Sequence, residues 1–446
     1  MVFHRKRLST RINVIDSSIY LVAKVKSLKA EISILIIISS FDFKLIKLRR
    51  VRRIKTGLIW SPDYTTFNLG EGHPLNNRRY IILNHLLNLF GIFDRSDVIQ
   101  INPPQATKEE LLLFHTEEYI QVMKELSIAK TTWGPSRGLE YGLGTGDCPI
   151  FPDMHKFTSS VVGGTLEGAK KILAGDIQQA FAGLAGMHHG FPDRASGFCY
   201  YNDIGVTIQY LLRQGVNRIL YLDTDAHHGD GVLEAYYESK NVLGISIHES
   251  GHFIFPGTGF PVEIGKNEGR GYTINLPLLP GTSDELYIQL FESIIPCLWE
   301  KFDPEFVIWQ SGVDGHFKDV LGHLNLTTDV YKYLGPRIHE LTQKGRTKGR
   351  LLVLSGGGYN PESTSRANFA IITSLLGINN EIPPKSPQEW VDFCYNELNI
   401  KVQTMLWDEN ITDYSIDEKI DFSSIYRPSF VRDSIHSILH ELKEAL

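Results

Sequence analysis

Cysteine is scarce in this sequence. Its 446 residues include four cysteines, Cys148, Cys199, Cys297 and Cys394, and no two of them form a CxxC pair. Small proteins that depend on disulfides carry many more cysteines for their length, so a disulfide scaffold is excluded. The low count is typical of a reducing compartment, and we therefore expect a cytoplasmic protein.

Long hydrophobic runs are also absent. The most apolar stretch, Ile32 to Ile38, lies between Glu31 and Asp42, and it is far shorter than the roughly 20 apolar residues that span a bilayer. No small-residue cleavage site follows a continuous apolar core, so no secretory signal is predicted. The sequence shows no internal repeat and no low-complexity tract. We expect no membrane partner.

Acidic residues are scarce only in the N-terminal part of the chain. Residues 1–55 carry 14 Lys and Arg against Asp16, Glu31 and Asp42, whereas the rest of the chain carries 31 basic and 48 acidic residues. An acidic body suits a cationic partner and argues against a nucleic-acid platform. The basic stretch fits a poorly ordered arm, an organelle presequence, or a start codon placed too far upstream. In each case we predict a non-catalytic extension.

Eight short apolar runs alternate with amphipathic stretches from residue 56 onwards. This alternation predicts an α/β fold, in which one domain has an eight-stranded, mostly parallel sheet with helices on both faces. The predicted strands are Gly57 to Trp60, Val98 to Ile101, Ala180 to Leu184, Arg218 to Leu222, Val242 to Ile247, Thr273 to Leu276, Phe306 to Gln310 and Leu351 to Leu354. The predicted helices include Asn77 to Phe90, Lys108 to Leu126, Ser159 to Leu173, Asp284 to Lys301, Thr328 to Gln343 and Ser363 to Leu376.

The predicted domain organisation has three parts. The extension at residues 1–55 precedes a catalytic domain at residues 56–380, and a C-terminal helical segment at residues 381–446 packs on that domain. Within this segment, Ser429 to Leu446 places apolar residues on one helical face. The stretch from His248 to Gly271 has no helical period and is rich in glycine and proline. A loop of that length in a compact domain is usually functional.

Polar clusters follow four of the predicted strands, and one of them has the composition of a metal site. Asp223, Asp225 and His227 alternate at the end of the 218 run, so their side chains point to one side. Only two of the three can easily reach one ion. The carboxyl ends of parallel strands converge, which brings Asp314 from the 306 run to the same crevice. Two of these side chains together with Asp314 would leave an open position, as catalytic metal sites do.

Two adjacent histidines and a tyrosine supply the remaining chemistry. His188 and His189 follow the 180 run, and Asp223 and Asp230 could each accept from one ring and fix its tautomer. Paired with different carboxylates, the two rings could divide the base and acid roles, and the sequence leaves open which does which. Tyr359 follows three glycines and could donate to an oxyanion. The set predicts metal-assisted hydrolysis of an amide.

These residues resemble the zinc-dependent histone deacetylase family, including the acetoin-utilisation deacetylases of prokaryotes. The resemblance runs in order from about Thr56 to about Asp413. It implies the arginase-like fold, one zinc ion, and hydrolysis of N-acetyl-lysine in proteins. The motifs are Gly72-His73-Pro74 with Arg79, Gly142-Leu143-Gly144, His188-His189, Ala195 to Tyr200, Asp223 to Gly231, Phe255 to Gly259, Asp314, Asn325-Leu326-Thr327 and Gly357-Gly358-Tyr359.

The resemblance also implies a role for individual residues. Asp225, His227 and Asp314 are similar to the zinc ligands, His188 and His189 to the catalytic pair, and Tyr359 to the oxyanion donor. Substrate-binding positions are Phe198 and Phe255 as aromatic walls of a lysine tunnel, Gly197, Leu321 and Gly357 as its lining, and Asp147 as a rim carboxylate, although Thr145-Gly146 shifts the spacing there. Arg79 resembles an arginine near an acetate-release channel.

Two monovalent-cation sites, suited to K+, are implied as well. The first would use Asp223, Asp225, His227, Ser246 and Ile247, several of them through backbone carbonyls, and the second Tyr236, Ser239, Val242 and Tyr272.

An inositol phosphate regulator is not expected. Nuclear members of the family present basic residues to that anion where this chain has Asn76, Val320 and Glu362.

Two competing functions use the same residues differently. An acetylpolyamine or other small-amide hydrolase would share the metal centre but have a narrower mouth. A non-catalytic reader of acyl-lysine would bind peptide unchanged, and the intact His188, His189 and Tyr359 speak against it.

Overall fold

The structure is a computed structural model that describes residues 13–15, 18–27, 30–37, 54–128 and 136–408. The chain divides into two compact units, Met1–Arg53 and Ile54–Leu446. The first unit contains an antiparallel sheet of three strands, β1 (Asn13–Ile15), β2 (Ser18–Ser27) and β3 (Ala30–Ile37). No strand was predicted there.

The second unit is built on an eight-stranded sheet in which every neighbouring pair is parallel. The order across the sheet is β5-β4-β6-β11-β10-β7-β8-β9. Each predicted strand is present, and the predicted fold class is confirmed. The strands are β4 (Thr56–Ile59), β5 (Val98–Ile101), β6 (Gln179–Ala182), β7 (Ile219–Asp223), β8 (Val242–Glu249), β9 (Thr273–Leu278), β10 (Phe306–Gln310) and β11 (Leu351–Leu354).

The central strands are buried on both faces. Along β10, Val307 and Trp309 belong to one apolar cluster, whereas Phe306 and Ile308 belong to the other. Alternate side chains of a strand point to opposite faces, so two separate cores require helices on both sides of the sheet. This is why the strand sequences read as continuous apolar runs.

Eleven α-helices and three short 3₁₀ turns are found in the described part of the chain. The α-helices are α1 (Arg78–Leu89), α2 (Lys108–Leu111), α3 (Glu117–Leu126), α4 (Ser136–Glu140), α5 (Met154–Ala174), α6 (Asp203–Arg213), α7 (Asp230–Ala235), α8 (Asp284–Phe302), α9 (Thr328–Thr342), α10 (Pro361–Leu375) and α11 (Gln388–Leu398). The 3₁₀ turns are Pro62–Thr65, Asn267–Gly269 and Asn379–Glu381. None of the described helices is long and apolar enough to cross a membrane.

One predicted helix is interrupted. The stretch from Lys108 to Leu126 forms two helices, because Thr116 starts a new one by accepting a hydrogen bond from the Tyr119 backbone N–H. A side-chain cap of this kind satisfies an amide that has no partner within the helix. The apolar period continues through the break and therefore did not reveal it.

The chain beyond residue 380 packs on the second unit as far as it is described. In α11, the indole of Trp390 is buried and donates to the Ile82 carbonyl at 3.2 Å. The described part of the segment after α11 extends to Asp408, which is also buried. The helix predicted at Ser429 to Leu446 lies outside the described residues. The domain boundaries at 55 and 380 stay predictions.

Candidate active site

Three buried metal-ligand side chains meet at the carboxyl edge of the sheet. β7 and β10 are neighbours in register, with Gln310 opposite Asp223. The loop after β7 therefore brings Asp225 and His227 next to Asp314 in the loop after β10. One potential ligand atom from each of these three residues lies within 4.8 Å of the others. Among the described residues, no other group of His, Cys, Asp and Glu meets this criterion.

The electrostatics of this cluster suit a cation. His227 Nδ1 lies 2.8 Å from Asp314 Oδ2 and 3.2 Å from Asp225 Oδ1. Burial alone would lower the pKa of His227, but its hydrogen bonds to the two carboxylates raise that pKa well above its usual range. Burial and the repulsion of Asp225 raise the pKa of Asp314 to about 8. Two buried carboxylates thus compete for positive charge at one point, which a divalent ion would supply.

Neighbouring groups hold the two carboxylates in place. Asp225 Oδ2 accepts from the Gln310 side chain and from the Gly357 backbone, both at 2.8 Å. Asp314 Oδ1 accepts from the Ala226 backbone N–H at 2.7 Å. A Cβ at position 357 would lie 2.2 Å from Asp314 Oδ2. Gly357 is required here because the backbone passes directly against the ligands.

His188 and His189 lie beside the cluster and have different environments. Their ring centroids are 4.0 Å apart. His188 Nδ1 is 2.8 Å from Asp223 Oδ2, and His189 Nδ1 is 2.6 Å from Asp230 Oδ1. Both pairs are those that the sequence analysis expected.

The environments separate the pKa values of the two rings. Burial lowers the pKa of His188, but the charges of Asp223 and Asp225 outweigh it and raise the pKa to about 9. Burial and the neighbouring His188 lower the pKa of His189 to about 4, against the opposing effect of Asp230. These surroundings favour the protonated form of His188 and the neutral form of His189.

Tyr359 lies beside the same cluster and lines one pocket together with His188 and His189. Its ring centroid is 6.2 Å from that of His227 and 5.5 Å from that of Phe198. Burial and the nearby carboxylates of Asp314 and Asp225 raise the pKa of Tyr359 well above its usual range, so the phenol stays protonated and able to donate. Its backbone N–H donates to Asp319 Oδ2 at 2.6 Å.

Phe198 and Phe255, the expected walls of a lysine tunnel, both lie beside the site. The Phe255 ring is 4.9 Å from that of His189, and its residue is 43 % exposed. A Cβ at position 197 would lie 2.9 Å from the Phe255 ring and 2.5 Å from that of His189. Gly197, which has a positive φ of 50°, therefore leaves room for both rings. Both aromatic walls expected from the sequence adjoin the site.

The remaining rim residues are less tightly placed. Asp147 is exposed, and its backbone carbonyl lies 3.2 Å from His73 Nε2. Leu321 is half-buried, and its backbone N–H donates to Asp319 at 2.9 Å. The ring of His73 packs edge-on against Phe198, with centroids 4.8 Å apart. His73 thus connects the loop that carries Asp147 to the ring of Phe198.

Arg79 lies on the inner side of the site. Its guanidinium is buried and donates to the carbonyls of Gly358 and Gly356 at 2.6 and 2.7 Å. Together with His188, His189 and Tyr359 it lines an internal cavity with about 20 Å³ of space that water can enter. That volume is enough for about one water molecule.

The residues expected to hold monovalent cations lie in two groups. Asp223 and Ser246 are register partners on β7 and β8, with Ile247 next to them. Ser239 donates its backbone N–H to the Tyr236 carbonyl at 2.9 Å. Tyr236, Val242 and Tyr272 line one small cavity. Both cation sites stay predictions.

Three supporting residues were missed by sequence reasoning. Gln310 orients Asp225, Asp319 holds Tyr359, and Asp203 accepts from the backbone of Gly186 and Met187 at 3.0 and 2.8 Å. Asp203 thereby shapes the turn that carries the two histidines. Its only sequence signal is its position directly after the resemblance motif that ends at Tyr200.

An all-parallel eight-stranded sheet with this cluster at its carboxyl edge is the arginase/deacetylase fold. A sequence profile of the histone deacetylase domain matches residues 73–375. The chain belongs to the histone deacetylase family, and within it is close to the acetoin utilization proteins.

Individual relatives support this assignment. The acetoin utilization protein AcuC of Bacillus subtilis is 39 % identical over 339 residues, covering 75 % of this chain and 86 % of that protein. The AcuC of Staphylococcus xylosus is 35 % identical over 339 residues, and it also covers 75 % of this chain and 86 % of that protein. The crystal structure of an HDAC homolog from Aquifex aeolicus superposes with a TM-score of 0.72 at 32 % identity, covering 87 % of this chain and 100 % of that chain. The crystal structure of an HDAC homolog complexed with SAHA superposes with a TM-score of 0.73 at 31 % identity, covering 88 % of this chain and 100 % of that chain.

Proposed function

We propose that this chain is a zinc-dependent lysine deacetylase that hydrolyses the side-chain amide of N-acetyl-lysine in proteins and releases acetate. The observation that carries the proposal is the joint geometry of the site. Asp225, His227 and Asp314 meet at one point, and the rings of His189 and Tyr359 lie beside that point.

Zinc fits the ligands that are present. Two carboxylate oxygens and one imidazole nitrogen make a three-ligand set that leaves room for substrate, which is the pattern of catalytic zinc. His227 Nδ1 is the nitrogen that faces both carboxylates, so Nδ1 would be the ligand atom. When bound, the ion supplies Lewis acidity towards a carbonyl and a water molecule.

The side chains of the site divide the proton transfers. His189 is neutral, its Nδ1 is engaged with Asp230, and Nε2 remains to accept a proton from the attacking water. The protonated His188 adds positive charge next to the reacting carbonyl. The phenol of Tyr359 donates a hydrogen bond to the oxyanion as it develops. The proton taken up by His189 is then available for the departing amine.

The entrance favours a neutral acyl-lysine. Phe198 and Phe255 can cover the four methylenes of the side chain, and burial of about 100 Å² of apolar surface contributes about 2.5 kcal/mol. A free lysine would lose that gain because its ammonium must be desolvated. Acetylated substrate is thus retained and the amine product is released. The exposed Asp147 and Phe255 at the mouth suit the backbone of a peptide.

Other features complete the proposal. Acetate would leave through the cavity that Arg79 lines. K+ would occupy the sites at Asp223, Ser246 and Ile247 and at Tyr236, Ser239, Val242 and Tyr272. Regulation by an inositol phosphate is not expected, since Glu362 is an acidic residue that pairs with Arg366. We propose a cytoplasmic location from the cysteine usage, and no direct partnership with nucleic acid.

Turnover of defined substrates tests the proposal. Purified protein loaded with zinc should release acetate from an acetyl-lysine peptide far faster than from N-acetylspermidine. Chelation should abolish turnover, and added zinc should restore it. Preference for the polyamine would identify a small-amide hydrolase. Tight binding of the peptide without cleavage, in protein with a measured full zinc content, would identify a reader.

A further inference from the structure

A buried carboxylate connects two loops of the site and takes no part in the proton transfers of the proposed reaction. Asp319 lies in the loop after β10 and is fully buried. Its Oδ2 accepts from the backbone N–H of Tyr359 at 2.6 Å and from that of Asn360 at 3.3 Å. Its Oδ1 accepts from the backbone N–H of Leu321 at 2.9 Å and from that of Gly322 at 3.4 Å. One side chain thus binds the loop after β10 to the loop after β11.

These donors match a carboxylate better than a neutral side chain. An ionised carboxylate accepts hydrogen bonds at both oxygens, whereas the amide of asparagine has one accepting end and one donating end. Hydrogen bonds to an ionised acceptor are also about twice as strong as bonds between neutral groups. In a buried position water does not replace a lost partner, so such bonds fix the two loops relative to each other. A neutral amide could serve only one loop.

The loop after β11 depends on anchors of this kind because of its composition. Three glycines precede Tyr359, and two of them have a positive φ, 58° at Gly356 and 138° at Gly358. Glycine has more backbone freedom than any other residue, so the course of this loop is set by what its peptides bind. Arg79 binds the carbonyls of the two glycines with positive φ. Asp319 binds the peptide of Tyr359 itself.

The peptide that Asp319 binds determines where the phenol of Tyr359 points. The Cα–Cβ direction of a residue follows from the orientation of its own peptide. The Tyr359 ring lies 5.5 Å from that of Phe198 and 6.2 Å from that of His227, between centroids. A displacement of about 1 Å at a reacting group can cost about 10²-fold in rate. A small shift of this peptide should therefore change turnover.

We propose that Asp319 is a positioning residue for Tyr359. It holds the phenol beside the metal-ligand cluster. Through Leu321, an expected lining residue of the lysine tunnel, it also fixes the oxyanion donor relative to the substrate side chain. This role rests on the proposed deacetylase function, in which Tyr359 donates to the oxyanion. A merely structural anchor would contribute to stability but would not act through the Tyr359 hydroxyl.

A double-mutant cycle on the full-length, zinc-loaded protein tests this role. Asp319→Asn is introduced into the parent and into Tyr359→Phe, and kcat and KM for an acetyl-lysine peptide are measured for each protein. We expect Asp319→Asn to lower kcat by about 10-fold or more when the Tyr359 hydroxyl is present and by less than about twofold when it is absent, because residues that act as one unit are not additive. Any change in KM that comes through Leu321 should be the same in both backgrounds.

The possible results separate the positioning role from the proposed function. The same loss of kcat in both backgrounds would identify a structural anchor and would overturn the positioning role alone. A parent protein that does not cleave the peptide, or a Tyr359→Phe variant with the parental kcat, would contradict the proposed function and the positioning role together.

Asp284→Asn is the matched control. Asp284 also holds a loop, because it accepts from the backbone N–H and the hydroxyl of Thr327 at 2.8 and 2.5 Å. Its substitution should change kcat by the same factor in the parent and in Tyr359→Phe. Zinc analysis and thermal melting of every variant show whether the site and the fold are retained.

A change to the backbone tests the same contact even if Asp319→Asn does not fold or retain zinc. Replacement of the Tyr359 peptide N–H by an ester oxygen removes one donor to Asp319 and leaves every side chain in place. We expect kcat to fall by about 10-fold, while the zinc content and the thermal midpoint stay near those of the parent. An ester variant with the parental kcat would overturn the proposal.

Discussion

Tyr359 is the residue whose role depends most on a single atom. Its phenol stays protonated because burial and the carboxylates of Asp314 and Asp225 raise its pKa. The aromatic ring, by contrast, contacts Phe198 and contributes to packing. Removal of the hydroxyl alone therefore separates chemistry from structure.

We predict that Tyr359→Phe retains the metal but loses most turnover. Removal of one oxyanion donor costs about 10²- to 10³-fold in kcat, whereas the ring contact with Phe198 is preserved. Steady-state kinetics on an acetyl-lysine peptide, together with zinc analysis of the same sample, measures both effects. Near-normal kcat in a zinc-replete variant would remove the oxyanion role from Tyr359.

The pKa shifts of His188 and His189 predict how turnover depends on pH. The proposed reaction needs neutral His189 and protonated His188. Turnover should therefore fall as pH drops through the low pKa of His189, near 4, and fall again as pH rises through the raised pKa of His188, near 9. The profile of kcat/KM against pH should be bell-shaped.

Asp230→Asn tests which histidine causes the fall of kcat/KM at low pH, the acid limb of the profile. Asp230 acts to raise the pKa of His189, so its neutralisation should move the acid limb to lower pH and weaken the base. We expect a loss of about 10-fold or more in kcat/KM. Asp193→Asn is a suitable control because Asp193 is exposed and pairs only with the neighbouring Arg194. An acid limb that stays in place would assign that limb to another group.

Helix α10 illustrates how an element can be held by buried charge. Apart from Pro361, all its residues are buried, including Arg366, which donates to Glu362 at 2.7 Å and to Asp408 at 2.9 Å. Asp408 also lies 2.9 Å from His316 Nε2. The end of the described chain is thereby bonded to α10 and to the loop that carries Asp314.

We predict that Asp408→Ala destabilises the fold by about 3 to 5 kcal/mol, because Arg366 would be left buried without this partner. Glu340→Ala is the matched control, since Glu340 pairs with Lys344 on the surface, where such pairs contribute about 0 to 1 kcal/mol. Urea unfolding monitored by fluorescence measures the difference. Equal midpoints for the two variants would contradict a stabilising role for the buried network.

The buried network of Arg366, Asp408 and His316 also predicts how the stability of the fold changes with pH. Burial by itself would raise the pKa of Asp408. The hydrogen bond from His316 and the charge of Arg366 outweigh burial and lower this pKa far below its usual value. A group with a lowered pKa stabilises the fold fully above its unfolded pKa of about 4 and loses that contribution as pH falls. The stability gap between the parent protein and Asp408→Ala should therefore narrow on acidification.

At the scale of the whole molecule, the chain consists of two units of different kinds. In the first, Met1–Arg53, the described residues form an antiparallel three-stranded sheet, and all the site residues belong to Ile54–Leu446. We predict that a protein beginning at Ile54 folds and keeps the kcat and KM of the full chain. Activity assays and thermal melting of the two forms check this. A large loss of kcat in the shorter form would give residues 1–53 a catalytic role.

Much of the fold and the centre of the site could be predicted from local sequence. The apolar runs of β7 and β10 marked buried parallel strands, and polar residues at their ends marked the edge where ligands bind. That rule placed Asp314 beside Asp223, Asp225 and His227, because strand alternation and the convergence of parallel strands depend only on spacing along the chain. The family resemblance then selected Asp225 and His227 as the two further ligands. The family motifs then assigned roles to the aromatic and glycine positions.

What only the tertiary structure decided are contacts between residues that are distant in the chain. The contact of Gln310 with Asp225 and the opposite pKa shifts of His188 and His189 arise from burial and from the neighbours of each group, which spacing does not encode. The amino-acid sequence by itself determined which groups are available at the sheet edge, and packing determined how their pKa values are shifted, because desolvation depends on three-dimensional surroundings.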